Sequence, residues 1–150
     1  MSKIVIVDTS CLISLSNSDS LNLLKSTYSE VYITNEIQTE FKEKLPVWIK
    51  LLNPSKKQVD IFSKVLDLGE ASALALALEN PNSLLIIDEA KGRKIAKEHK
   101  INIIGTIGFL MNAQKTGIIK DAFPIIIRIV NAGFRISNDL LNKLIEFYKK

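Results

Sequence analysis

Continuous apolar runs alternate along the chain with stretches in which apolar residues return every three or four positions. The runs IVIV (4–7), LLII (84–87) and INII (101–104) lack any regular polar/apolar alternation. A strand covered on both faces reads this way, so they predict a parallel sheet between two helical layers. EVYIT (30–34) reads as a further strand. Between the first two strands, CLISLSNSDSLNLLKSTY predicts one or two short helices with Ser/Asn breaks. NEIQTEFKEKL follows as a helix with Ile37, Phe41 and Leu45 on one face, stopped by Pro46. The next segment is bounded by prolines and receives no element. Residues 56–66 then form an amphipathic helix, and residues 69–79 a helix so apolar that it must be largely buried. A basic helix, EAKGRKIAKEHK, and a further helix, TIGFLMNAQKTG, each follow a strand. The tail predicts a helix, a break at Gly133 and a closing helix with Leu140, Leu141, Leu144, Ile145 and Tyr148 at helical spacing. The expected architecture is α/β: a three-layer α/β/α sandwich with a mainly parallel central sheet, residues 1–150 forming one domain without repeats or linkers.

Composition narrows the chemistry. A chain of 150 residues removes roughly 68 to 70% of its unfolded surface from water, enough for a core without staples. With 47% hydrophobic and 24% charged residues it lacks the signature of disorder. The first apolar run is too short for a signal-peptide core or a bilayer span, so a cytoplasmic protein is expected. Cys11 is the only cysteine, which rules out an internal disulfide, and it reads as a small buried hydrophobe. His99 is the only histidine, which removes metal-free RNA cleavage by a histidine pair and any His-rich zinc site. It reads as a solvated residue at a helix end. The net charge of +4 favours a polyanionic partner over an acidic one.

The candidate chemistry lies in the acids. In an open parallel sheet, ligands bind beyond the carboxyl ends of the strands. Asp8 and Asp88 each follow an apolar strand directly, so the fold puts both on that edge. Glu70, at the start of the buried helix, and Glu40, on the helix after the second strand, are within reach of it. Taken singly, Asp8, Glu70 and Asp88 read equally as helix caps, and Glu40 as a solvated helix face. Together they make a different demand. Two carboxylates about 4 Å apart repel by roughly 4 kcal/mol at an effective dielectric near 20. A hard divalent cation reverses that sign, and oxygen ligands without His or Cys support select Mg²⁺ or Mn²⁺.

The stretches VDTSCLI, ITNEIQTEF, LGEASALALALE, LLIIDEAKGRKIA and GTIGFLMNAQKTGII, in this order over nearly the whole chain, resemble the PIN-domain proteins, the nuclease fold of VapC-type toxins. The resemblance implies that Asp8 is the first metal-binding acid, supported by Ser10, and that Glu40, Glu70 and Asp88 complete the site. Glu70 stands where many relatives carry Asp, and the adjacent pair Asp88 and Glu89 leaves open which is the ligand. It further implies Mg²⁺- or Mn²⁺-dependent cleavage of single-stranded or looped RNA by water, without a covalent intermediate. A homodimer and an antitoxin partner that blocks the acidic pocket are implied in the same way.

An acidic pocket needs a basic rim to receive RNA. Arg93, Lys94 and Lys97 on the basic helix are the candidates, with Arg93 closest to Asp88, although such a charge run also reads as a solvated face. Thr106 reads either as a residue orienting water or phosphate, or as the N-cap of its helix. Two rival functions share the acidic edge: a catalytically weak PIN-like module that binds RNA or protein without cutting, and a receiver-like domain phosphorylated on a strand-end Asp. The receiver-like reading lacks an acid next to Asp8 and a Lys after the last strand.

Overall fold

β-branched side chains crowd a helix but fit a pleated strand, and Ile4–Val7 forms β1, the middle strand of the sheet. The computed structural model describes residues 3–149. After β1 come α1 (Thr9–Asn17), α2 (Asn22–Thr27), β2 (Glu30–Ile33), α3 (Asn35–Phe41), β3 (Ile49–Leu51), α4 (Lys56–Phe62) and α5 (Leu68–Glu79). The second half adds β4 (Leu84–Ile86), α6 (Ala90–Glu98), β5 (Ile103–Ile104), α7 (Thr106–Lys115), α8 (Phe123–Asn131) and α9 (Asn138–Tyr148). The five strands form one sheet in the order β3-β2-β1-β4-β5, and every pairing is parallel. Helices cover both faces, which is the expected three-layer α/β/α sandwich.

Strand order fixes where a ligand can bind. From β1 the chain steps outward to β2 and β3, then crosses to β4 on the opposite side of β1 and steps on to β5. The winding reverses between β1 and β4, and a crevice opens at such a point beyond the carboxyl ends of the strands. Val7 pairs with Ile86 across this boundary, and the Asp8 backbone N–H continues the ladder to the Ile86 carbonyl at 3.1 Å. Receiver-type sheets run 2-1-3-4-5, so the strand order removes the receiver-like alternative.

The core is densest around α5. Residues 69–77 are buried without interruption, and the helix packs against β1, β4, α3, α4 and α6. Four alanines among those residues, Ala71, Ala73, Ala75 and Ala77, keep the helix narrow enough for neighbours on every side. The sheet contributes Val5, Ile6, Val7, Val31, Ile33, Leu85 and Ile86 to the same core.

Three local expectations change. The proline-bounded segment contains β3, an edge strand with only Ile49 buried. The helix carrying Ile37 and Phe41 stops at Phe41, because Lys42 turns left-handed (φ 62°) and caps it, so Leu45 lies beyond the helix. The helix expected over 56–66 ends at Phe62, although Leu66 stays in the core. Cys11 is buried as expected, and burial pushes its thiol up, away from the reactive thiolate. His99 caps α6 with its ring edge-on to Phe62, centroids 5.2 Å apart. Among the described residues no helix is long and apolar enough to cross a membrane.

The tail is tied back to the first helix. Arg128 on α8 donates from Nε and Nη2 to the carbonyl of Ser18, the C-cap of α1, at 3.3 and 3.0 Å. Because α5 has no free volume around it, Ala75→Leu forces larger shifts than any surface change. It should cost about 1 to 3 kcal/mol of stability, read as a lower midpoint in urea denaturation with an unchanged slope.

Candidate active site at the carboxyl edge of the sheet

Asp8 and Asp88 follow β1 and β4, the two strands that flank the reversal of winding. Asp8 is 3% exposed, and its Oδ1 is buried without a hydrogen-bond donor among the described residues. Although it precedes α1, its side chain makes no capping bond there. A sealed carboxylate oxygen with no donor is costly, since an unsatisfied buried polar atom keeps its full desolvation penalty. Burial pushes the Asp8 carboxyl up to about 7, opposed by the Thr9 backbone N–H and reinforced by the charges of Asp67, Glu40 and Asp88.

The other acids are held by groups that fix their direction. Asp88 accepts two bonds from Thr106, the backbone N–H on Oδ1 at 2.8 Å and the hydroxyl on Oδ2 at 2.6 Å. Thr106 is the first residue of α7 and Gly105 its N-cap, so the helix start is satisfied from a distance by Asp88 and the Thr106 N-cap expectation is replaced. A Cβ at position 105 would lie 3.0 Å from Asp88 Oδ1, and glycine there lets the carboxylate come close. Glu40 is exposed, yet it accepts the Thr9 hydroxyl on Oε1 at 2.6 Å and the Gly69 N–H on Oε2 at 3.2 Å. Its carboxylate therefore rests on the first turn of α5, where free N–H groups and the helix dipole favour negative charge. A Cβ on residue 69 would sit 2.6 Å from Glu40 Oε2, so this contact requires glycine.

Glu70 is 9% exposed on the same turn. Burial pushes its carboxyl up to about 7, joined by the charges of Asp67, Asp8 and Glu89 and a side-chain hydrogen bond with Asp67. Asp67 is not among the acids expected from the sequence. It caps α5, accepting the Glu70 N–H on Oδ1 at 2.9 Å, and its charge acts on both Asp8 and Glu70. The D-x-x-E spacing of Asp67 and Glu70, a capping-box pattern, is the signal that marks it.

The remaining expected residues divide by position. Glu89 is the exposed N-cap of α6 and accepts the Lys91 N–H at 2.8 Å, whereas Asp88 points to α7. Ser10 is exposed and lines a cavity of about 510 Å³ with Asp88 and Glu89; its neighbour Thr9, and not Ser10, gives its hydroxyl to one of the acids, Glu40. Arg93 donates from Nη1 to the Ile87 carbonyl at 2.8 Å, which holds it beside Asp88. Lys94 lines a separate cavity with Ile61, Phe62 and His99, away from the acids, and Lys97 is exposed one turn farther along α6. Lys94 is thus removed from the rim of the acidic edge. Phe109 is buried against Tyr28, centroids 5.9 Å apart, and Trp48 is half-buried on the core.

The donor set fits a hard divalent cation. All the acids supply oxygen, and the unpartnered Asp8 Oδ1 has a lone pair free for coordination. Among the described residues no three Asp, Glu, His or Cys side chains form a ready-made ligating group. Mg²⁺ keeps several waters and uses only one or two carboxylates directly, so it needs no such group.

The raised carboxyls set a pH dependence for the metal-free protein. In the fold Asp8 and Glu70 keep their protons up to about pH 7, whereas the unfolded chain releases them near about 4. Their contribution is full below the unfolded value and is lost as pH rises through the folded one. In EDTA, the melting temperature should fall between pH 5 and pH 8, and Asp8→Asn should flatten that fall. Mn²⁺ should restore the wild-type melting temperature at pH 8 more than at pH 5, as followed by scanning fluorimetry.

A family model described as a PIN domain matches residues 4–150. Among curated proteins none matches the chain. The PIN domain is a nuclease-type fold. From the matched model and the all-parallel sheet with its acidic carboxyl edge, the chain belongs to the PIN-domain family.

Proposed function

We propose that this protein is a Mg²⁺- or Mn²⁺-dependent endoribonuclease that hydrolyses phosphodiester bonds of single-stranded or structured RNA, acting as the toxin of a toxin–antitoxin pair. The observation that carries this reading is the buried, donorless Asp8 Oδ1 at the switch point of a PIN domain. An oxygen kept from water and from every N–H or O–H has a use when it meets a cation. Asp8 and Asp88 would hold that cation, with Glu40 and Glu70 completing the shell through water. When bound, a divalent metal lowers the pKa of a water and offsets charge on the departing oxygen.

The chain's own residues provide orientation. Thr106 donates to both oxygens of Asp88 and leaves each of them one further lone pair. Thr9 and the Gly69 N–H hold Glu40 against rotation. Burial, with the charges of Asp67, Asp8 and Glu89 beside it, favours the protonated form of Glu70. Hydrolysis by water needs no nucleophilic side chain, in keeping with the buried Cys11 and the lone His99 at the far end of α6.

A second reading is a PIN module that binds RNA or protein without cutting. The apolar side chains exposed on the last two helices, Phe123, Ile127, Leu141 and Ile145, suit a homodimer or an antitoxin segment.

Purified protein with Mn²⁺ should cleave a mixed RNA pool, and Asp8→Asn should reduce cleavage to background while the fold is kept. Cleavage by Asp8→Asn equal to that of the parent sinks the assignment. No cleavage by the parent, with RNA still bound, selects the non-cutting module. Gly69→Ala and Thr106→Val release Glu40 and Asp88 without opening the core. Each should lower Mn²⁺ affinity or turnover about 10- to 100-fold, the range for the outer partners of a metal site, with little change in melting temperature.

A further inference from the structure

The segment between α8 and α9 brings two side chains to the acidic edge that neither the motifs nor the proposed chemistry use. Phe134 and Arg135 line both cavities that reach Asp88. One is the cavity shared with Ser10 and Glu89. The other, about 310 Å³, is bounded by Asp88 and Arg93 on one side and by Arg135, Ser137 and Lys143 on the other. Three cations from three segments thus surround a space that opens beside the recessed acids. The carboxylates on its wall are Asp88, engaged by Thr106, and Asp139 in the first turn of α9.

The cations differ in how they are held. Arg93 is half-buried and pinned through Nη1 to the Ile87 carbonyl, so its guanidinium has a fixed place with other N–H groups to spare. Arg135 and Lys143 are exposed and free to close on a ligand. Such a combination suits the backbone of a nucleic acid, where guanidinium forks and ammonium groups meet successive phosphate oxygens. Asp8, 3% exposed, lies too deep for a duplex to present a phosphodiester to it, whereas a single strand can bend into the crevice.

We infer that the cavity framed by Arg93, Arg135 and Lys143 seats backbone phosphates of single-stranded RNA immediately next to the one presented to Asp8. The inference rests on the nuclease reading for its direction, but binding tests it without cleavage. Phe134 lines both cavities, so a strand that occupies both runs beside it. Lys94 belongs to a different cavity and takes no part.

The test uses fluorescence anisotropy of a labelled 12-nucleotide mixed-sequence RNA in EDTA, where metal-dependent cleavage is silent. Arg135→Ala with Lys143→Ala should weaken binding about tenfold and lower the salt slope by about 0.7 for each cation lost. Both side chains are exposed, so the folded state is kept, and the charge-conserving pair Arg135→Lys with Lys143→Arg should stay within about threefold of the parent. Lys94→Ala removes one charge outside the cavity and should change binding less than twofold. The subsite is overturned if the parent binds no RNA, if the double alanine variant binds like the parent, or if Lys94→Ala weakens binding as much. It is equally overturned if polyglutamate of matching charge, or duplex RNA, binds as tightly as the single strand. Manganese-dependent cleavage with unchanged binding by the double variant leaves the nuclease reading and removes the subsite. Lost binding with no cleavage by the parent does the reverse.

Discussion

A carboxylate sealed from water with no donor on one oxygen is the constraint around which the rest of this fold is arranged. Asp8 sits at the end of the middle strand, and its charge is opposed by burial before any neighbour is counted. Adding Asp67, Glu40 and Asp88 nearby deepens the conflict. A protein resolves such crowding by protonation or by a cation. The raised Asp8 and Glu70 carboxyls show the first solution in the metal-free chain, and the oxygen-only chemistry of the edge suits the second.

Helix starts do much of the arranging. Glu40 rests on the first turn of α5, and Asp88 takes the first N–H and hydroxyl of α7. Both acids are held where backbone N–H groups would otherwise be unpaired, so capping and site-building are one act. Each needs close approach, and Gly69 and Gly105 provide it by omitting a side chain at the point of contact. The same bonds that satisfy the helix starts also fix the direction of the two carboxylates.

The fold was readable because its central strands are unmixed apolar runs and α5 is apolar all round. Those signals are strong when burial is two-sided. The edge strand β3 escaped notice because it is short and one-sided: Ile49 is buried while Lys50 and Leu51 face solvent, between Pro46 and Pro54. Spacing alone places Leu45 on the helix, since nothing in KEKL announces that Lys42 turns left-handed. At the edge, Asp8 and Asp88 followed directly from strand ends. Asp67 is hard to see in the sequence because KVLD reads as the end of one helix, whereas that helix stops at Phe62 and Asp67 caps the next. Thr106 was recognised, but its role depends on Asp88 arriving from 18 residues away in sequence. Arg135 and Lys143 were hidden for the same reason: only the path of the tail brings them to the crevice.

That path depends on a small contact far from the chemistry. Arg128 grips the carbonyl at the end of α1, while the first turn of α1 begins at Asp8. One short rod thus joins the acid to the anchor of the tail. The position of the segment after α8 is thereby referenced, through a single nine-residue helix, to the strand end that carries Asp8.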